Sequence, residues 1–217
     1  MVTAVLLDLD GTIADSRPGI IASIHHAVRS LGHEPDPSEN LAWAIGPPID
    51  EAMARVLKPY GEGRVREAVR LYRNRYGEVG LYEAAIYPGI DVALSSLAEA
   101  GAALILATSK RRAIAERILV HFGLVGHFRS IFGSEPGGAL DRKSDLIAHL
   151  LALEGLNHRN VVMVGDRSHD IAGAHANGVR AIGALWGYGS REELTSAAAD
   201  ALAASPSDLP GLIAALS

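Results

Sequence analysis

The chain has 217 residues, of which 48% are hydrophobic and 21% are charged, with a net charge of −5 and no cysteine. This composition is typical of a globular protein with one large domain or a domain that carries an insertion. The negative charge argues against nucleic acid or an anionic membrane as a partner, and the lack of thiols excludes disulfides and zinc–thiolate sites. The sequence shows no bilayer-spanning apolar stretch and no signal peptide, so we expect a soluble cytoplasmic protein.

The first predicted strand is the apolar run from Val2 to Leu7, which is followed by Asp8, Asp10 and Gly11. A continuous apolar run is typical of a strand buried on both faces of a parallel sheet. Residues two apart in an extended chain point to the same side, so the two carboxylates converge. Like charges at the end of a buried strand need a cation or a proton, and Mg²⁺ suits them because it binds carboxylates, waters and phosphate oxygens. Taken alone, the pair also fits two surface acids in a loop.

A long helical segment separates this strand from the next one. Hydrophobic periodicity predicts helices over residues 20–31, 49–57, 63–76 and 90–100. Arg17-Pro18-Gly19 is interpreted as a turn before the first of them, and residues 102–107 are the next apolar strand. A simple crossover needs about a dozen residues and its helix, whereas this connection has roughly seventy. We therefore expect an inserted all-α domain over residues 16–87.

From residue 102 onward, strands and helices alternate at short spacing. Strands are predicted over residues 130–132, 161–164, 179–184 and 201–204, and helices over 111–122, 144–153, 171–176 and 209–216. This rhythm indicates a parallel sheet with helices on both faces. The predicted fold class is α/β, with a Rossmann-like core over residues 1–15 and 88–217 and the all-α insertion between these segments.

Three more polar features lie where predicted strands end or a predicted helix begins. Thr108 and Ser109 follow the second strand and could donate to a phosphate oxygen, or could instead cap the next helix. Lys143 stands at a helix start, where the helix dipole disfavours a cation; this hints at a bound anion, although a solvated lysine also fits. Asp166 follows a later strand and Asp170 comes one helical turn afterwards, a pair that fits a metal site or a helix cap.

In this order, the motifs closely resemble those of the haloacid dehalogenase-like superfamily of hydrolases. They are Asp-x-Asp-Gly-Thr at residues 8–12, Thr-Ser at 108–109, the helix-start lysine, and Gly-Asp-x-x-x-Asp at 165–170. The resemblance covers the whole chain, and the all-α insertion is similar to the cap domain of that family. Trp-Ala-Ile-Gly-Pro-Pro at 43–48 and Trp-Gly-Tyr-Gly-Ser at 186–190 favour its phosphoglycolate-phosphatase-like members and the similar 5′-nucleotidase-like branch.

The resemblance implies a phosphatase that acts on a small phosphomonoester, either phosphoglycolate-like or a nucleoside 5′-monophosphate. Asp8 would be the nucleophile that forms an aspartyl-phosphate. Asp10 would protonate the leaving alkoxide and then act as base on the attacking water. Thr108, Ser109 and Lys143 would hold the phosphoryl oxygens.

The same resemblance implies Mg²⁺ as the cofactor. Asp8, the backbone carbonyl of Asp10 and Asp166 would hold the ion. Asp170 would contribute to the metal site indirectly, through its neighbours.

Other functions on the same core remain open. A phosphomutase similar to β-phosphoglucomutase would keep the aspartates and exclude water, and a non-catalytic phospho-ligand-binding or regulatory protein would need no Asp10. A dehalogenase is disfavoured because its family pattern lacks the second aspartate. Within the cap, Gly46 and Arg73 are expected to meet the substrate. The expected partner is a small-molecule phosphate ester, with no nucleic acid or membrane, in a monomer or homodimer.

Overall fold

The computed structural model describes residues 2–135, 138 and 140–216. The chain forms two compact units, one made of Met1–Asp15 with Ile86–Ser217 and the other of Ser16–Ala85. We call them the α/β unit and the helical unit. The insertion expected from the sequence begins at the same residue as the helical unit and extends to residue 87.

The central feature of the α/β unit is a six-stranded parallel sheet. The strands of the described residues are β1 (Ala4–Leu7), β2 (Ala14–Asp15), β3 (Ala85–Ile86), β4 (Ala103–Arg111), β5 (Ser130–Ser134), β6 (Val161–Gly165), β7 (Arg180–Ala184) and β8 (Ala201–Ala203). The sheet has the order β5-β4-β1-β6-β7-β8. β1 therefore lies between two parallel neighbours, and all four of its residues are completely buried, as the apolar run predicts. The predicted α/β class is confirmed.

Helices flank this sheet and build the second unit. They are α1 (Arg17–Ser30), α2 (Ile49–Leu57), α3 (Val65–Glu78), α4 (Ile90–Glu99), α5 (Arg112–His121), α6 (Lys143–Glu154), α7 (Ser168–His175), α8 (Arg191–Ser196) and α9 (Leu209–Ala215). In the α/β unit, Leu146 of α6 and Ile171 of α7 join Leu6 and Met163 of the sheet in one buried cluster. Across the described chain, every helix lacks the length or the apolar character that crossing a membrane would require.

The start of α1 differs from the prediction. Residues 17–19 are the first turn of the helix and not a turn before it. Pro18 is tolerated there because the first N–H groups of a helix have no partner within the helix. The backbone at Gly19 lies very close to that of Gly80, since a Cβ at position 19 would collide with the Gly80 carbonyl. The proline and glycine that are interpreted as a turn before the helix are therefore part of its first turn.

Two further boundaries depend on side-chain caps. α7 begins at Ser168, three residues before the predicted start, and the Arg167 N–H before it donates to Asp170 Oδ2 at 3.1 Å. α8 is not predicted, although its start carries the Ser-x-x-Glu pattern of a helix N-terminus. Ser190 Oγ accepts the Glu193 N–H at 3.1 Å in this cap.

Candidate active site

The candidate site lies at the carboxyl ends of three neighbouring strands, β4, β1 and β6. Asp8 directly follows β1, Thr108 lies near the end of β4, and Asp166 directly follows β6. The Asp8 N–H donates to the Val164 carbonyl at 3.0 Å, which continues the pairing of β1 with β6 up to this point. Ligands of open α/β sheets bind at this edge, so the motifs predicted separately from the sequence meet where a site is expected.

A tight turn over residues 9–14 follows β1. The Leu9 carbonyl accepts the Ile13 N–H at 2.9 Å. Gly11 has a φ of +89°, which L side chains rarely adopt, and a Cβ there would collide with the Asp166 carboxylate. The glycine is therefore required both by the turn and by the closeness of Asp166.

Lys143, the first residue of α6, is buried and makes three polar contacts. Its Nζ lies 2.7 Å from Asp8 Oδ1, 2.8 Å from Asp170 Oδ1 and 2.8 Å from the Ala107 carbonyl oxygen. A Cβ on Gly173 of α7 would collide with the lysine side chain, so this glycine leaves room for it. A lysine that is 4% exposed is rare unless it is paired. The solvated alternative for this lysine is excluded.

The charges in this cluster shift one another's pKa values. Burial raises the pKa of Asp8, and the Lys143 ammonium opposes that rise without cancelling it. Burial would also raise the pKa of Asp170, but there the lysine outweighs it and the pKa is lowered. Burial acts to lower the pKa of Lys143, yet the two carboxylates outweigh it and raise the pKa. The lysine therefore stays charged between two acids.

Asp166 is completely buried and is held by two donors. The Tyr188 backbone N–H donates to Oδ2 at 2.7 Å, and the Thr12 hydroxyl donates to Oδ1 at 3.4 Å. Burial, together with the nearby Asp170 and Asp8 carboxylates, raises the pKa of Asp166 well above its ordinary value. A buried acid in these surroundings is stabilised by a proton or by a bound cation.

Three buried aspartates could hold a metal ion, because one oxygen from each of Asp8, Asp166 and Asp170 lies within 4.8 Å of the others. Carboxylate oxygens are suitable ligands for hard divalent cations. Asp170 Oδ1 forms an ion pair with the Lys143 ammonium and Asp170 Oδ2 accepts the Arg167 N–H, whereas Asp166 has neutral donors at both oxygens. This difference favours Asp166 over Asp170 as a direct ligand.

The predicted phosphate-binding hydroxyls lie at the end of β4, where its pairing with β5 shifts register. Thr108 is 1% exposed and its Oγ1 accepts the Lys110 N–H at 3.2 Å, and Ser109 is half-buried. Lys110 Nζ lies 2.7 Å from Asp10 Oδ2. Sequence reasoning gives Lys110 no role. The signal that could find it is rarity, since the chain has three lysines and two of them lie in this site.

The segment after β7 contacts the loop that follows Asp8 and Asp10. Trp186 Nε1 donates to the Thr12 carbonyl at 2.9 Å, and the Tyr188 hydroxyl donates to Asp15 Oδ1 at 2.9 Å. The sequence offers residues 186–190 only as a sign of family resemblance. The contacts of Trp186 and Tyr188 show that this segment helps to hold the loop after β1 in place.

Two glycines of the same segment lie against Asp166. A Cβ on Gly187 would collide with the Asp166 side chain, and a Cβ on Gly189 would collide with its backbone carbonyl. Glu193 accepts the Ser168 N–H at 2.8 Å and so holds the chain that follows Asp166. The position of this aspartate is thus determined by its neighbours on several sides.

The two residues expected to meet the substrate lie in the helical unit. Gly46 has a φ of +105°, a turn conformation that favours glycine. The Arg73 guanidinium lies 3.0 Å from Asp50 Oδ2, and the two side chains are 40% and 59% exposed. Their part in substrate binding stays a prediction.

Comparisons with known proteins agree with the geometry of the site. Residues 5–184 match the family model described as haloacid dehalogenase-like hydrolase. A 5′-nucleotidase of Pseudomonas aeruginosa is 42% identical over 192 residues, which cover 88% of this chain and 86% of that protein. The tyrosine-protein kinase PtkA of Mycobacterium tuberculosis is 43% identical over 188 residues, which cover 85% of this chain and 62% of that protein.

The fold comparison gives the same result. The crystal structure of a predicted phosphatase from Clostridium acetobutylicum matches with a TM-score of 0.90 at 32% identity, and 98% of each chain is covered. The family match extends from β1 to β7 and so includes the aspartates, the lysine and the threonine of the site. The chain belongs to the haloacid dehalogenase-like hydrolases and is a phosphoric monoester hydrolase.

Proposed function

We propose that the chain hydrolyses small phosphomonoesters with Mg²⁺ as cofactor and Asp8 as the nucleophile. The observation that carries this proposal is the contact of Lys143 Nζ with Asp8 at 2.7 Å inside a buried cluster. A phosphate ester brings negative charge to an attacking carboxylate, so a fixed cation beside that carboxylate offsets their repulsion.

The reaction proceeds in two displacements. An Asp8 oxygen attacks phosphorus, the bond from phosphorus to the ester oxygen breaks, and Asp10 gives its proton to the leaving alkoxide. A water molecule then attacks the aspartyl-phosphate, loses its proton to Asp10, and releases inorganic phosphate with a free Asp8. Thr108, Ser109 and Lys143 donate to the phosphoryl oxygens in both displacements.

Asp8, the Asp10 backbone carbonyl and Asp166 would hold Mg²⁺. The raised pKa of Asp166 supports this assignment, because a divalent cation stabilises the ionised form of a buried acid. When bound, the ion supplies positive charge to the phosphoryl oxygens. Asp170 orients Lys143 through their 2.8 Å contact.

The substrate is proposed to be a nucleoside 5′-monophosphate or a phosphoglycolate-like ester. The name of the P. aeruginosa relative supports the nucleotide, and the resemblance of the sequence to phosphoglycolate phosphatases supports the second. The helical unit would act as the cap that selects between them, with Gly46 and Arg73 as contacts. A small-molecule partner, a monomeric or homodimeric state and a cytoplasmic location stay predictions.

The test is phosphate release from a panel that includes adenosine 5′-monophosphate and phosphoglycolate, with and without Mg²⁺. Asp8→Asn should reduce kcat by at least about 10⁴-fold while the protein stays folded. Asp91→Asn, at an exposed aspartate in the first turn of α4, is the matched control and should keep wild-type rates. Unchanged turnover in Asp8→Asn would refute the nucleophile.

Transfer of the phosphoryl group to an acceptor other than water is a second candidate, which the relationship to a protein named as a tyrosine kinase favours. Both reactions would share the aspartates and differ in what attacks phosphorus. Incubation with ATP labelled at the γ-phosphate, with and without a tyrosine-containing peptide, separates them. Label in inorganic phosphate supports hydrolysis, and label in the peptide supports transfer.

A further inference from the structure

Lys110 lies at an irregular strand end that the fold maintains. The register of β4 against β5 shifts between Ala107 and Arg111, which interrupts the alternation of side chains. A Cβ on Gly133 of β5 would lie 2.5 Å from the Lys110 carbonyl oxygen, so only glycine allows the two backbones to approach this closely. Irregularities of this kind often direct a side chain toward a site. Here that side chain is Lys110.

The lysine is nearly buried and its ammonium contacts a carboxylate oxygen of Asp10. Nζ lies 2.7 Å from Asp10 Oδ2, and the two side chains are 9% and 14% exposed. Fixing a lysine side chain costs conformational entropy that a solvated lysine keeps. The placement therefore needs a compensating interaction, and the contact with Asp10 is a suitable one.

The two oxygens of Asp10 have different surroundings. Oδ2 has the Lys110 ammonium, whereas Oδ1 is buried and has no hydrogen-bond partner among the residues that the structure describes. A buried oxygen without a partner is costly, and such an atom marks a place where a ligand or a proton belongs. Because the lysine contacts Oδ2, Oδ1 is the oxygen of Asp10 that a substrate can contact.

We propose that Lys110 is a positioning residue that holds Asp10 by Oδ2 and so leaves Oδ1 as the oxygen through which Asp10 acts on the leaving alkoxide. This inference rests on the proposed phosphatase mechanism and adds a residue to it. When the phosphorus–oxygen bond of the ester breaks, the proton on Oδ1 goes to the alkoxide oxygen and the alcohol leaves. The carboxylate that remains is paired with the ammonium. Each catalytic aspartate then has its own lysine, Lys143 for Asp8 and Lys110 for Asp10.

The test uses two substrates of similar shape that differ in their need for a proton. p-Nitrophenyl phosphate releases a delocalised phenolate that leaves without protonation, whereas benzyl phosphate releases an alkoxide that requires it. Comparing kcat/KM isolates the first displacement, because the later hydrolysis of the aspartyl-phosphate does not enter it. For Lys110→Met we expect a loss on the order of 10²-fold with benzyl phosphate and less than about ten-fold with p-nitrophenyl phosphate.

Two comparisons make the result specific. Lys58→Met removes the exposed third lysine and should leave both esters unaffected. In an Asp10→Asn background, adding Lys110→Met should change kcat/KM for either ester by less than about two-fold, because the lysine acts through the aspartate. Retained hydrolysis of p-nitrophenyl phosphate also shows that Lys110→Met is folded.

The outcomes are distinguishable. Equal losses on the two esters in Lys110→Met, or a further large loss in the Asp10→Asn background, would overturn the positioning role while the phosphatase proposal stands. A wild-type protein that hydrolyses neither ester would overturn the phosphatase proposal itself.

Discussion

Lys143 and Arg73 are both cations that the sequence singles out, and the two units hold them differently. In the α/β unit, Lys143 is 4% exposed and its ammonium has three oxygen atoms within 2.8 Å. In the helical unit, the side chain of Arg73 is 40% exposed and forms an ion pair with Asp50, which is 59% exposed. A buried charge with several partners is costly to disturb, whereas an exposed ion pair contributes little to stability. The fold therefore holds the charges of the candidate active site in place. The residue proposed to select the substrate, in contrast, is an exposed side chain whose ion pair contributes little to stability.

Of the variants that test this difference between the two units, Lys143→Met is expected to have the largest effect. Removing the ammonium leaves the buried Asp8 and Asp170 carboxylates beside each other without their cation. We expect the free energy of unfolding to fall by about 3–5 kcal/mol and turnover to be lost. Urea denaturation measures the first, with Lys58→Met as the exposed control, for which we expect a change within about 0.5 kcal/mol. A loss below 1 kcal/mol for Lys143→Met would contradict a tightly coupled cluster.

Gly187→Ala tests whether the function of Asp166 depends on its exact position, as that of Asp8 is expected to depend on Lys143. The new methyl group would collide with the Asp166 side chain and move it from its donors. We expect the Mg²⁺ concentration for half-maximal activity to rise about 10–100-fold, as for other residues that orient metal ligands. Gly211→Ala in α9 is the matched control, because nothing lies within 4 Å of the added atom. The same Mg²⁺ dependence in both variants would show that Asp166 tolerates displacement.

Asp166 also predicts how stability depends on pH. Its pKa is raised in the folded state, so above a pH of about 4 the folded protein binds a proton that the unfolded chain has already lost. Without divalent cations, the free energy of unfolding contributed by this group therefore falls as pH rises toward the folded-state pKa. Mg²⁺ should offset that fall, because the ion binds the deprotonated acid.

Thermal unfolding of wild type and Asp166→Asn between pH 4.5 and 8, with and without Mg²⁺, measures both effects. In the variant, the decline with pH and the gain from Mg²⁺ should both be smaller. A variant that responds to Mg²⁺ as the wild type does would move the metal site elsewhere.

The smallest effect is expected in the helical unit. Arg73→Ala should change the free energy of unfolding by less than about 1 kcal/mol, because it removes an exposed ion pair. If the guanidinium meets the substrate, KM should rise about ten-fold with kcat unchanged. Asp50→Ala breaks the same ion pair and keeps the arginine, so its KM should stay at the wild-type value. Equal KM values in both variants would remove Arg73 from substrate binding.

The parts of this protein that sequence reasoning predicts are those with a local cause. The helix over residues 49–57 follows from its periodicity and is observed at those bounds, and the burial of β1 follows from its continuous apolar run. Lys143 is noticed because a cation is unusual at a helix start. Each of these signals lies within a few residues of the feature that it predicts.

The contacts that sequence reasoning misses join distant parts of the chain. Tyr188 supports Asp166 with a backbone N–H, a donor that nearly every residue has and that no sequence pattern marks. Trp186 reaches the Thr12 carbonyl across 174 residues, a contact that depends on the order of strands in the sheet. The same holds for Lys110 and Asp10, whose pairing requires both β4 to lie beside β1 and the irregular end of β4.

The order of strands has a further consequence for how the chain folds. β1 precedes both of its sheet neighbours along the chain, and one of them, β6, begins only at Val161. At typical rates of synthesis, β6 follows β1 on the order of ten seconds later. Until then, an apolar strand edge lacks its partner and invites association with other chains. The long-range pairing that assembles the site therefore also slows the completion of the fold and leaves this edge exposed while the chain up to β6 is synthesised.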